Sequence, residues 1–272
     1  MGAGIVSLVG AVVLTTGRVW QGQFTSLPVA TPSAQSTALT MPSDWNSLET
    51  AEVGGLAIAR FKQKDWTVGQ QAVENLLDRG ALQEAEAALS AVPDSHLSDP
   101  TIRFLRGRLA WQSLKQGNGD YSPDDVRRFW DLAVEAQPNS ALYQTALGFA
   151  YYAEGRYQEA IEPFCRSIAL AAQPSPSLSV IDRSPSPANC LPDQPPTDRQ
   201  ARNAYAGIAL VMAQLATDTT HGTPDQLTHA IAIQRAVLES DPVHYEVQAL
   251  SGDWLWNASA IQEWDRLMQL QS

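Results

Sequence analysis

From about residue 44 onward, apolar side chains recur at intervals of three and four positions, the spacing that places them on one face of an α-helix. The pattern is clearest over 141–168. There Leu142, Ala146, Leu147 and Ala150 share a face of a first helix, and Ala160, Ile161, Phe164 and Ile168 share a face of a second. Gly155 breaks the run between them, so the stretch reads as two amphipathic helices joined by a tight turn. Small residues, Gly148 and Ala160, stand where the two helices would touch. Tyr151, Tyr157 and Phe164 stand where a gap between layers needs filling.

Leu147-Gly148, Tyr151, Gly155, Ala160 and Phe164, at these offsets, resemble a tetratricopeptide repeat (TPR). The family's opening tryptophan is missing, with Gln144 near its place, and Ser167 replaces a common second alanine. A lone helix pair cannot bury its apolar face, so the resemblance implies neighbouring copies. Upstream, 79–89 parallels 154–164, with Gly80 matching Gly155 and Ala85 matching Ala160. Between them, Leu105, Gly107 and Trp111 precede Val126, Trp130, Ala133 and Pro138. Downstream, Ala204, Gly207 and Leu210 precede Ala230, Ile233, Val237 and Pro242. The implied fold is all-α, a right-handed helical-hairpin solenoid of about four pairs with C-terminal capping helices. The family's groove positions carry over to Phe104, Arg108, Trp111 and Gln112, to Thr145, Phe149 and Tyr152, and to Ile208, Val211 and Met212. Such a lining implies a partner segment with apolar side chains and aromatic hot spots. The alternative is that some of these residues are core between helices.

Residues 1–20 begin with an uncharged apolar run from Ile5 to Leu14, expected to be a signal or membrane anchor; a buried structural helix is the other reading. Residues 21–43 are rich in Ser, Thr, Gln and Pro and read as a disordered linker. The repeat domain is assigned to 44–243, with Ser43 or Asp44 capping its first helix and Gly54-Gly55 weakening it. Within it, seven prolines over 173–200 exclude regular helix and mark a loop, read as an insertion or a proline-rich ligand. Extra residues around 117–125 and 217–226 lengthen two turns, with Ser122 or Asp124 and Thr223 as caps. Residues 244–272 form the cap, with Asn257 starting the last helix. Trp254, Trp256 and Trp264 are assigned to cap packing, against a ligand platform or a membrane anchor.

A net charge of −11 with three lysines excludes a nucleic-acid footprint. Cys165 and Cys190 would staple the proline-rich loop to the array if paired; otherwise Cys165 is a packed thiol. His96, His221, His229 and His244 form no metal-ligand spacing, and no nucleophile, zinc or phosphate-loop motif occurs. Asp124-Asp125 and Glu84/Glu86 read as a helix start and a solvated surface. No cofactor or metal is expected. The chain therefore reads as a non-catalytic adaptor or scaffold, tethered at a membrane with its repeats extracytoplasmic. The rival readings are a periplasmic or secreted ligand or glycan binder using Trp111, Trp130 and Tyr152, and a non-catalytic subunit of an envelope or photosynthetic assembly.

Overall fold

The computed structural model describes residues 45–172, 190–217 and 223–270. The anchor, the linker, the start expected at Ser43 or Asp44, most of the proline-rich loop and His221 lie outside them. The described residues hold twelve helices and no strand: α1 (Thr50–Lys62), α2 (Trp66–Asp78), α3 (Leu82–Ser90), α4 (Pro100–Lys115), α5 (Pro123–Ala136), α6 (Ala141–Ala153), α7 (Tyr157–Ala172), α8 (Arg199–Ala216), α9 (Pro224–Ser240), α10 (Pro242–Tyr245), α11 (Val247–Gly252) and α12 (Ala258–Gln269). Adjacent helices pack in pairs, α1 with α2, α4 with α5, α6 with α7 and α8 with α9, and α7 also lies along α8.

The helix ends follow from local chemistry. Ser122, Thr223 and Asn257 start α5, α9 and α12, the first two through reciprocal capping boxes with Asp125 and Gln226 and the third by accepting from the Ala260 N–H. The first helix begins at Thr50, where Glu49 and Glu52 form the box. Gly54 is no breaker there: a Cβ on it would meet the Glu84 side chain at 3.2 Å, so the missing side chain lets α3 approach α1.

Four helices end in the same way. Gly80, Gly117 and Gly155 have φ of 70°, 78° and 74°, and the residue after each donates back five positions, Ala81 to Leu76, Asn118 to Ser113 and Arg156 to Tyr151. That left-handed turn satisfies the last carbonyls and reverses the chain. The end of α1 makes the same bond, Asp65 to Arg60, but the left-handed residue is Lys64 with φ 63°, where a Cβ is strained.

Within the pairs, glycines meet rings. A Cβ on Gly69 would lie 2.5 Å from the Phe61 ring, and one on Gly107 would lie 2.4 Å from the Trp130 indole. Phe164 of α7 is flanked twice, by Gly148 of α6 and Gly207 of α8, each placing a Cβ at 2.4 Å from its ring. The fully buried ring thus fixes the distances between three helices. Beside it, Thr145 Oγ1 lies 2.7 Å from Ser167 Oγ and 3.1 Å from the Gln200 carbonyl, a buried polar knot among the same helices. Cys165 and Cys190 form a disulfide that joins α7 to the segment leading into α8.

Three stability outcomes follow. Gly148→Ala or Gly207→Ala costs about 1–3 kcal/mol, because the ring is held on both sides and cannot give way. Gly119→Ala, with open space around it, leaves the thermal midpoint unchanged. Lys64→Gly raises stability by about 0.5–1 kcal/mol, read in the same denaturation series.

Candidate functional site: a filled inner face and two clefts

The ten residues expected to line a groove come from α4, α6 and α8, and the structure brings them to one region. They do not form an open groove. Phe104, Arg108, Trp111, Thr145, Phe149, Tyr152, Ile208, Val211 and Met212 are all buried, and Gln112 is half-buried. The expectation of an apolar channel for another protein's side chains is corrected on this point. Much of that face is covered by the chain's own C-terminal residues.

The covering segment runs from Asp253 to Asn257, between α11 and α12. Trp111 donates its indole N–H to the Trp254 carbonyl at 2.9 Å, and Lys115 donates to the Asp253 carbonyl at 2.6 Å. The Arg108 guanidinium lies 4.4 Å from the Trp254 ring centroid, a cation–π contact. Trp256 packs against Phe149, Tyr245 and Trp264 with centroids 5.3–6.2 Å apart. Asn203 of α8 accepts from the Tyr245 hydroxyl at 2.7 Å, and Trp264 donates to the Tyr245 carbonyl at 3.0 Å. Trp256 and Trp264 have no exposed surface. Burying such side chains is worth on the order of 1.5–3 kcal/mol each, so this segment is part of the core.

Trp256 and Trp264 therefore point inward, and Trp254 is half-buried over Arg108. Trp111, Trp130 and Tyr152, the proposed stacking surface for a glycan, are at most 4% exposed and present no ring faces to solvent. What sequence reading missed is the destination of the 253–256 run: it returns to α4, 143 residues earlier in the chain. Helical periodicity carries no signal for such a contact.

The other candidates resolve into structural roles. His96 stacks on Trp66, His244 pairs with Asp241, and His229 is exposed. Asp124 pairs with Arg127 one turn on. Among the described residues no grouping of His, Cys, Asp and Glu could hold a metal ion, and no helix is long and apolar enough to cross a membrane.

No protein-family model matches the chain, and no curated protein matches it.

Two clefts remain open at the edges of the filled face. The first, about 520 Å³, lies among the C-terminal ends of α2 and α4, the start of α8 and residues 252–255. Arg79, Arg108, Lys115 and Arg199 line it together with Asp78 and Asp253. Arg108 pairs with Asp78, and Arg199 with Asp253 at 3.0 Å. Burial holds the Lys115 ammonium below the usual lysine range, against the opposing pull of Asp253. The second cleft, about 810 Å³, lies among the α6–α7 turn, α8 and α12. Tyr152 and Tyr157 stand 5.4 Å apart at its wall, with Gln214, Gln262 and the paired Glu263 and Arg266 around them.

Burial pushes the Tyr152 and Tyr245 phenols above the ordinary tyrosine range, with Glu263 adding to the effect at Tyr152. A folded pKa raised above the unfolded one favours the neutral phenol. The stability these groups contribute is complete below about pH 10 and is lost as pH rises above it. Spectrophotometric titration is expected to show these two phenols ionising only as the helical circular dichroism collapses, after the exposed tyrosines.

Proposed function

We propose that this protein is a non-catalytic adaptor or scaffold: a right-handed, tetratricopeptide-like solenoid that holds a segment of another protein. The observation that carries the reading is the way the inner face of α4, α6 and α8 already grips polypeptide. It donates to main-chain carbonyls of 253–254 and packs rings against Trp254 and Trp256. That is the chemistry of a peptide-receiving surface. Because the centre of the face is filled from within, the partner's seat is assigned to the larger cleft beside it. Tyr157, backed by the buried Tyr152, supplies an aromatic wall there, and Gln214 and Gln262 supply amides that can pair with a peptide backbone. The partner therefore needs main-chain hydrogen bonds and one or two apolar anchors, rather than a continuous apolar face.

In this reading residues 1–20 tether the array to a membrane through the linker 21–43, with the repeats outside the cytoplasm. The Cys165–Cys190 disulfide supports that placement, since such bonds persist in oxidising compartments. Burial of Trp256 and Trp264 counts against docking of a subunit through the tryptophan-rich cap.

The test is photo-cross-linking from Gln262, at the cleft, and from Gln83, exposed on α3, in full-length protein and in a form lacking 1–42. The reading expects full-length protein in membranes, the truncated form in solution, and one partner captured from Gln262 alone. That capture should weaken at least tenfold in Tyr157→Ala, a loss of about 1.4 kcal/mol. Equal capture from both positions, or none, overturns the assigned seat.

A further inference from the structure

The smaller cleft differs from the rest of the molecule in charge. The chain carries 29 acidic side chains against 18 lysines and arginines, yet this cleft is lined by four cations and two carboxylates. Its arrangement is that of a built site. Arg199 and Gln200 belong to the first turn of the 18-residue helix α8, whose N-terminus the Asp198 carboxylate caps. Arg108 is more than nine-tenths buried, and its Nε–H makes no hydrogen bond. Folded proteins leave few such atoms orphaned, and each one asks for a reason. The Asp253 carboxylate already occupies one edge, held by Arg199 at 3.0 Å, and shows which chemistry the wall accepts.

We propose that this cleft is a binding site for a small, multiply charged oxyanion, a dicarboxylate or a phosphate ester, seated between Lys115 and Arg199 at the start of α8. The volume suits a metabolite-sized ligand. The excess of cations among the lining residues suits an anion. Lys115, exposed at the cleft rim and bonded to the Asp253 and Trp254 carbonyls, gains a charged partner. The site is separate from the partner's seat, so the two stand or fall independently.

The test is calorimetric titration of the full chain with inorganic phosphate, succinate and citrate at fixed ionic strength, with chloride as the control anion and an acidic hexapeptide as a further arm. The proposal expects saturable binding of at least one small anion. Affinity should fall tenfold or more in Arg199→Gln, about 1.4 kcal/mol, and should be largely retained in Arg199→Lys, with circular dichroism confirming that both variants fold. Arg199 is the chosen position because its side chain is 61% exposed and its loss leaves the core intact. Preference for phosphate over succinate assigns the phosphate-ester class, and the reverse assigns the dicarboxylate class. Three outcomes overturn the proposal: no small anion binds; binding is unchanged by Arg199→Gln; or only the hexapeptide binds, since the seat then belongs to a polypeptide.

Discussion

One aromatic ring sets the spacing on which the middle of the molecule depends. Phe164 lies between Gly148 and Gly207, and with no side chain on either glycine the backbones of α6 and α8 close onto its two sides. Three helices are thereby held at distances that no other residue pair at those positions permits. The polar knot of Thr145, Ser167 and the Gln200 carbonyl forms at the same junction. Gly69 against Phe61 and Gly107 against Trp130 repeat the device in the earlier pairs. A glycine facing a ring is thus the unit of construction, and the side chains around it fill what remains.

The C-terminal segment changes how such an array behaves. In a simple stack each pair touches only its neighbours, and stability adds along the chain. Here Trp254 reaches back to α4 through Trp111, Arg108 and Lys115, while Trp256 and Trp264 close over α8. Early and late pairs share one continuous core. The interior is strongly aromatic, and the two clefts at the edges of the filled face have opposite characters, one cation-rich and one walled by tyrosine, glutamine and acid.

Much of the local architecture was legible in the sequence because it is governed by short-range rules. Helical spacing located the pairs α4–α5, α6–α7 and α8–α9, Gly80 and Gly155 marked turns, and Ser122, Thr223 and Asn257 marked helix starts; upstream, 79–89 reads as the second helix of a pair, whereas α1 pairs with α2 and α3 packs beside them. Gly54 misled, since a glycine read as a helix weakener is a point of close approach to Glu84. The groove was misjudged for a long-range reason. Phe149, Ile208 and Val211 look alike in sequence whether they await a partner or meet the chain's own end, and only the return of 253–257 decides between them. The cation-rich cleft was invisible for the same reason: Arg79, Lys115 and Arg199 are far apart in sequence and on different elements. The membrane tether and linker rest on residues outside those described.

The Cys165–Cys190 bond closes a covalent ring around the proline-rich stretch. A protease that cuts a single peptide bond inside that ring produces two polypeptides and still only one molecule, because sulfur carries the connection that the backbone has lost. The helices on either side, α7 and α8, also keep their shared packing on Phe164. The chain can therefore be opened at this point without being divided, and a nicked form would separate into fragments only after both unfolding and reduction.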